Sequence, residues 1–373
     1  MKNLKEKTLK GFIWLLFGSG IQVTVQIAVL AILARIISKE DFGIAQSALI
    51  VIGFSNLLSQ LGVGPAIVQK KELTKNLLRS GFTISFVSGT ILGIIVYSGA
   101  GALSSFFNMP ALKEILQVVS VLFVLQSMVI ISEGLMQRNM QMKQLATSNF
   151  ISYTLGYGVV AVTLGYHNYG VWAIIYGSIS QTIVKGIIVS IYQPHSYRPY
   201  FNKKDYYELL HYGGGFTIAR FANYFAGQGD NIVAGKYLGA YALGIYSRAF
   251  GIMVKPVNLI GTAIDKVLFP AMASRQDDRE KLISVFLKGS QLMHSVALPV
   301  GLMIAIAAKD IIVVLLGKTW LEVTVPLQIL SVGLLFKMSY KMGDSLARST
   351  GLIYKRALRQ IVFAISMVVF SYC

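Results

Sequence analysis

The sequence predicts an all-α integral membrane protein of about eleven transmembrane helices. They form two six-helix lobes related by an internal repeat, the second lobe incomplete. Three observations carry that class. Hydrophobic residues make up 54% of the 373 residues and charged residues only 13%, whereas a soluble domain holds roughly 25% charged residues. Charges so sparse cannot cover a water-facing surface, and a mean hydropathy of +0.62 points to lipid as the solvent. The apolar residues also fall in runs long enough for helices that cross a bilayer, without the strand-like alternation of a barrel. Finally, the pattern of the first half recurs in the second.

Spans are expected at 11–37, 44–68, 81–104, 112–136, 145–166, 170–192, 213–235, 246–270, 289–308, 323–345 and 357–373. The basic start MKNLKEKTLK leads into a stretch from Gly11 to Ile37 that is too long for a signal-peptide core, so it reads as a retained span. Basic residues alternate from gap to gap. Twenty-one lie in one set, including Lys70, Arg79, Arg138, Arg198, Lys203, Arg275, Lys281 and Arg348. Seven lie in the other: Arg35, Lys39, Lys113, Lys236, Arg248, Lys309 and Lys318. The positive-inside rule places the richer set, and the N-terminus, in the cytoplasm. The net charge of +18 is then a matter of topology and anionic lipid, not of nucleic acid. The outer gaps are short, such as FFNMP at 106–110, and leave no room for an extracytoplasmic enzyme domain.

The repeat is seen in RIISKEDFGI at 35–44 against KYLGAYALGI at 236–245, each a basic residue closing one span and a Gly-Ile opening the next. Asn56-Leu57-Leu58 echoes Asn258-Leu259-Ile260 at nearly the same offset. Six spans precede the second copy, so both copies run in the same direction, as parallel repeats do. The expected organisation is an N-terminal lobe at 1–193, a cytoplasmic linker at 194–212 and a C-terminal lobe at 213–373. The last of these reaches only the equivalent of the fifth span, so a truncated second lobe is expected.

Enzyme and metal signatures are absent from the sequence, and no cofactor is expected. The single cysteine, Cys373, excludes a disulfide framework. His167, His195, His211 and His294 are scattered. Gly213 to Gly215 lack the Lys-Ser/Thr of a phosphate loop, and RQDDRE at 275–280 reads as a solvated charge run. The informative residues are charges inside spans, which are costly in lipid and normally face a bundle interior or a wet cavity. Six cations qualify: Lys185, Arg220, Lys255, Lys266, Lys337 and Lys341, most of them in the cytoplasmic half. Snorkelling accounts for Lys266 and Lys341, while Arg220 and Lys255 are hardest to explain that way. Helical spacing puts Gln22 and Gln26 on one face of the first span, and Gln46, Gly53, Asn56 and Gln60 on one face of the second. Arg220, Tyr224, Gly227 and Asn231 share a face of the seventh, with Asp230 beside it. The expected substrate residues are therefore Arg220, Lys255, Lys266, Lys185, Lys337, Gln22, Gln26, Asn56 and Asn231, around a cavity between the lobes. Asp230, the one deep carboxylate, is the expected ion-coupling residue. Interhelical hydrogen bonding alone explains the amides equally well.

The stretches ARIISKEDFGIAQSALIVIGFSNLLSQLGVGPAIVQKKEL at 34–73, GDNIVAGKYLGAYALGIYSRAFGIMVKPVNLIGTAIDKVLFPAMASRQDD at 229–278 and LLGKTWLEVTVPLQIL at 315–330 resemble the polysaccharide transport family of flippases. The resemblance is to the branch of teichuronic-acid, colanic-acid and O-antigen (Wzx-type) exporters, in a superfamily shared with multidrug exporters and lipid II flippases. It implies movement of an undecaprenyl-diphosphate-linked oligosaccharide from the inner to the outer leaflet by alternating access, in a bacterial inner membrane, for surface polysaccharide synthesis. It implies as partners the lipid-linked oligosaccharide, membrane lipid, and a polysaccharide polymerase with other export machinery. A multidrug or metabolite antiporter of the same superfamily is the competing reading, and should show carboxylates in its cavity. A membrane glycosyltransferase would need a larger extramembrane loop.

The charge alternation makes a direct prediction about topology. With Cys373 replaced, single cysteines at Ser196 and Gln276 should resist an impermeant thiol reagent in intact cells, and one at Asn168 should react. Labelling at Ser196 but not at Asn168 would invert the orientation.

Overall fold

A computed structural model describes residues 20–70, 72–276 and 278–350, together with 362 and 366. The described residues are helical, joined by short turns, with no strand among them. In chain order they are α1 (Gly20–Ile36), α2 (Lys39–Gln60), α3 (Val63–Gln69), α4 (Lys75–Phe107), α5 (Leu112–Val119) and α6 (Val121–Arg138). Next comes one continuous rod made of α7 (Met142–Ile151), a π-helical segment (Ser152–Val159) and α8 (Val160–Tyr166). Then follow α9 (Val171–Tyr192), α10 (Lys203–Tyr237), α11 (Gly239–Ala273), α12 (Arg279–Ile306), α13 (Ala308–Leu315), a 3-10 turn (Lys318–Val323) and α14 (Thr324–Ser349).

Five stretches are long and apolar enough to cross a membrane: Lys75–Phe107, Leu112–Arg138, Val171–Tyr192, Arg279–Ile306 and Lys318–Ser349. Gly20–Ile36 is apolar but shorter. α2, α10 and α11 occupy the positions of further expected spans. The last expected span, 357–373, and the start of the first lie outside the described residues apart from 362 and 366.

Two expected spans are interrupted. The run 44–68 is not one helix, because Leu61 (φ 41°) and Gly62 (φ 69°) both turn left-handed, ending α2 and starting α3 at a new angle. The run 112–136 is divided at Ser120 between α5 and α6. Helix starts follow capping chemistry. Ser38, Thr74, Asn202 and Asp278 accept backbone N–H groups of the first turns of α2, α4, α10 and α12. The RQDDRE run thus serves a helix end: Asp278 caps α12 and also pairs with Lys281 at 2.7 Å. α10 and α11 have 35 residues each, about 52 Å, which exceeds a hydrocarbon core of about 30 Å. α10 accordingly starts at Lys203, inside the stretch expected to be linker.

The linker is strapped to the first lobe. Arg79 of α4 donates to the carbonyls of Arg198 and Pro199, both at 3.2 Å, and lies over the ring of Tyr200. Ser132 of α6 donates to the Gln193 carbonyl at 2.8 Å, so its hydroxyl accepts from His195 Nδ1–H at 3.0 Å. His195 Nε2 is then a buried lone pair, and burial holds the imidazole below its ordinary pKa.

At the opposite end α2 and α11 cross closely. A Cβ on Gly43 of α2 would overlap the Ala240 carbonyl oxygen, and one on Gly244 of α11 would overlap that of Lys39. Each glycine faces the carbonyl four residues before the other, so the contact is reciprocal, and these are the two glycines that the repeat brings into register. Around it, the Trp320 indole donates to the Ala34 carbonyl at 2.6 Å and meets Phe42 edge-on. Arg35 donates to the Val314 carbonyl at 2.8 Å. Lys39 and Tyr241 both donate to the Glu322 carboxylate, at 2.8 and 2.6 Å. The largest core continues through this contact, with Leu33 and Phe123 on one side and Leu243 and Val257 on the other.

This crossing should not tolerate a side chain. Overpacking typically costs about 1–3 kcal/mol, so Gly43→Leu or Gly244→Leu should clearly lower the thermal midpoint of the detergent-solubilised protein. Gly99→Leu, where a Cβ meets nothing within 4 Å, should leave it unchanged. Equal midpoints in all three variants would mean the crossing is not a tight contact.

Candidate functional site

One turn inside the glycine crossing lies a cavity of about 350 Å³. Gln46 and Ser247, each three residues after its glycine, line it from α2 and α11. Gln26 enters from α1, Tyr153 and Tyr157 from the π-helical segment, Gln228 and Asn231 from α10, and Arg248 and Lys255 from α11. Arg248 and Lys255 are seven residues apart, two turns along one face, so their charges lie about 10 Å apart along the axis. Among the described residues, no carboxylate lines this cavity. The Arg248 guanidinium rests over the Phe42 ring at 4.8 Å from its centroid, and its Nε is buried without a hydrogen-bond partner. Asn231 donates to Gln228 Oε1 at 3.2 Å, while its own Oδ1 is buried and unpartnered.

Arg248 corrects the charge reading of the sequence, which assigned it to a short gap between spans. α11 begins at Gly239, so Arg248 lies nine residues, about 14 Å, inside a helix. The expected span began only at Tyr246, seven residues after the helix start, which left Arg248 near its edge. Its place in the repeat was the available signal, since it follows Gly244-Ile245 by three residues.

The other expected residues divide among different settings. Lys255, Gln26 and Asn231 line the cavity, and Gln22, one turn from Gln26, is half-buried outside the lining. Lys337 of α14 stands behind the wall, its Nζ 4.0 Å over the ring of Phe250. Asp230 is buried beside the cavity, accepting from the Tyr246 hydroxyl at 2.7 Å and from the Asn231 amide at 2.8 Å. Lys341 bonds to Asn258 Oδ1 at 3.2 Å, joining α14 to α11. Asn56 and Lys266 lie in α2 and α11, but their side chains are outside the described residues.

Arg220 belongs to a second cavity, of about 740 Å³, nearer the linker end, with Tyr224 of α10, Leu57 of α2 and Glu133 and Gln137 of α6. Tyr224 divides the two. Its hydroxyl donates to the Ile50 carbonyl at 2.6 Å and occupies the space a Cβ on Gly53 would need. Phe54, Phe221 and Phe225 cluster beside it, with centroids 4.7–5.5 Å apart. Glu133 also borders a third cavity, of about 450 Å³, inside the first lobe, where it forms an ion pair with Lys185. Lys185 is therefore compensated by its own lobe. Two of the scattered histidines tie elements together: His195 bonds Ser132 of α6, and His294 of α12 bonds Ser290 of its own helix and Ser339 of α14, the last two at 2.7 Å.

Long apolar helices packed around a polar cavity are the architecture of a multi-pass membrane transporter. A family model described as "Polysaccharide biosynthesis protein" matches residues 32–325, and the chain belongs to that family of bacterial polysaccharide export transporters, not enzymes. It is 25% identical over 347 residues to the lipopolysaccharide biosynthesis protein WzxC of Escherichia coli, covering 92% of this chain and 70% of that one. Its fold is similar to that of the lipid II flippase MurJ in an inward closed conformation, with a TM-score of 0.76 at 14% identity over 96% of this chain and 80% of MurJ. An inward-facing multidrug transporter of the MATE family gives 0.72 at 16% identity, over 94% and 86% of the two chains. The fold is thus common to transporters of different cargo, and the lining of the cavity has to separate them.

The ion pair inside the first lobe can be tested on its own. Removing one partner of a buried pair typically costs about 3–5 kcal/mol, less at a half-exposed site such as this one. Glu133→Gln should lower the yield of monodisperse protein, and Lys185→Met on the same background should restore it. A double variant no better than the single one would mean the two charges are not coupled.

Proposed function

We propose that this protein carries an undecaprenyl-diphosphate-linked oligosaccharide from the inner to the outer leaflet by alternating access, holding it by its diphosphate. The observation that supports this reading above others is the unbalanced charge of the inter-lobe cavity, where Arg248 and Lys255 face the lining and no carboxylate does. A charge at this depth costs several kcal/mol unless it is compensated, and a diphosphate supplies two negative groups at a spacing that a two-turn pair of cations can span. The planar donor fork of arginine suits phosphate oxygens. A cation-exporting antiporter would favour the opposite lining.

With the N-terminus cytoplasmic, the glycine crossing closes the outer side. The second cavity, with Arg220 and the Glu133–Lys185 pair, is then the cytoplasmic vestibule where the headgroup loads. Tyr224 stands between vestibule and central cavity, so passage of the headgroup requires its hydrogen bond to Ile50 to break. Asp230, adjacent to the cavity and held by Tyr246, is the ion-coupling candidate. A first lobe at 1–193 and a second from 213 onward move against each other about the crossing.

The test is complementation of a flippase-null strain, with membrane levels followed by blot. Arg248→Ala should reduce surface polysaccharide at least tenfold at unchanged protein level. Arg248→Lys should recover part of it, because charge survives and bidentate geometry does not. Lys341→Ala, away from the cavity, should act weakly. Full export by a stably inserted Arg248→Ala protein would remove the anion site and with it this reading.

A further inference from the structure

The π-helical segment Ser152–Val159 is an unusual feature in the wall of the central cavity. π-helical turns are rare and concentrate at functional sites, because their widened backbone is less stable than the α form and persists only where packing enforces it. Here the enforcement is visible. Gly156 presses against the backbone of α9, where a Cβ would come within 2.6 Å of Gln181 Cα and 3.0 Å of the Ser180 carbonyl oxygen. Two residues on, Gly158 faces Val29 of α1, at 3.1 Å from a would-be Cβ. The segment is thus wedged between two helices by two glycines. The residues it turns toward the cavity are Tyr153 and Tyr157, whose rings stack with centroids 5.1 Å apart and an interplanar angle of 23°.

The rest of the lining complements a flat aromatic surface. Gln26, Gln46, Gln228 and Asn231 bring four carboxamides to the same cavity from three helices. A carboxamide both donates and accepts, and Asn231 keeps a buried Oδ1 without a donor. Stacked aromatic faces bounded by carboxamides form the environment that recognises a pyranose ring. The C–H face of the sugar packs on the π-system, and its hydroxyls exchange hydrogen bonds with the amides. A phosphate is held by the cations and does not call for a stacked aromatic face. A lipid chain has no use for the amides. About 350 Å³ is near the lower end of ligand pockets, with room for the phosphate-proximal sugar rather than an extended oligosaccharide.

We propose that Tyr153 and Tyr157 form the glycan-reading subsite of this transporter, stacking on the sugar next to the diphosphate while Arg248 and Lys255 hold the phosphates. The inference rests on the flippase reading and deepens it: the cations set affinity for any polyprenyl diphosphate, and the tyrosine platform with its amides sets which sugar is accepted. The division follows the fold, since the platform belongs to the first lobe and both cations to the second. A sugar bound to one and a phosphate bound to the other bridge the lobes across the cavity.

The experiment measures binding of purified full chain in lipid nanodiscs by native mass spectrometry. The probes are undecaprenyl diphosphate alone and the same lipid carrying a single glucose, galactose or N-acetylglucosamine. The wild type should bind at least one glycosylated probe on the order of five- to tenfold more tightly than the bare lipid. That preference should fall to near one in Tyr153→Leu with Tyr157→Leu, and should survive in Tyr153→Phe with Tyr157→Phe, where the stacking faces remain. Arg248→Ala should weaken bare and glycosylated probes in parallel and leave their ratio intact. If the leucine variants do not accumulate, Gln26→Leu on α1 reads the same ratio from the amide side and should lower it. Equal binding of bare and all glycosylated probes by the wild type would overturn the subsite, as would a preference that persists in the double leucine variant. Absence of wild-type binding to every probe, or binding indifferent to Arg248→Ala, would instead overturn the flippase reading and this inference with it.

Discussion

Arg248 of α11 sits against the face of Phe42 of α2, with its Nε facing no acceptor. A guanidinium so far inside a membrane helix is unfavourable by several kcal/mol unless water, a partner or a ligand compensates it, and the surrounding structure is arranged around that requirement. Phe42, on which the guanidinium rests, also packs edge-on against Trp320, whose indole is tied to the backbone of Ala34. The cation therefore touches the same aromatic pair that helps to close the end of the bundle. A change in what Arg248 holds has a short mechanical route to that closure, through one ring.

The closure itself depends on backbone contact rather than on side-chain packing. At the reciprocal crossing of Gly43 and Gly244, carbonyl oxygens occupy the places of two missing Cβ atoms. Small residues at a helix crossing allow the backbone approach on which membrane helix association relies. The polar ring around the crossing, Lys39 with Tyr241 and Glu322, lies at the water-facing rim, where ion pairs form and break at little cost. A tight apolar contact inside an easily opened polar rim suits a surface that has to separate and close again. Beneath it, Tyr224 and three phenylalanines form a second constriction between α2 and α10. The cavity with the two cations is enclosed between these two levels.

Charges inside the spans proved to be of several kinds, and the sequence did not separate them. Lys185 is neutralised within its lobe by Glu133, Lys341 ties two helices together through Asn258, and Lys337 rests on an aromatic ring. Among the described residues, Arg248 and Lys255 are the cations that combine depth, a polar cavity and a lining without carboxylates. Lys255 was legible because it stands in the middle of an apolar run. Arg248 was not, because it stands only two residues inside the expected span at 246–270 and was counted with the gap residues, whereas the helix starts at Gly239. The tyrosines of the platform were silent for a different reason. Tyr153 and Tyr157 look like ordinary members of an apolar span, and no local pattern announces that the chain will adopt a π-helical register there.

The sequence by itself determined the solvent, the all-helical class and the approximate place of most helices. These follow from local composition and from the periodic recurrence of residue types, and lipid allows a long apolar chain few other solutions. It also brought Gly43 and Gly244 into register, though not into contact. Tertiary structure decided which charges are compensated, where the lobes touch, and which aromatic residues face the cavity. Each of those facts depends on partners far apart in the chain, as with Phe42 and Arg248 or Lys39 and Glu322. Such pairs are fixed only when the helices pack, because a side chain's setting in a membrane is set by its neighbours across the bundle and not by its neighbours along the chain.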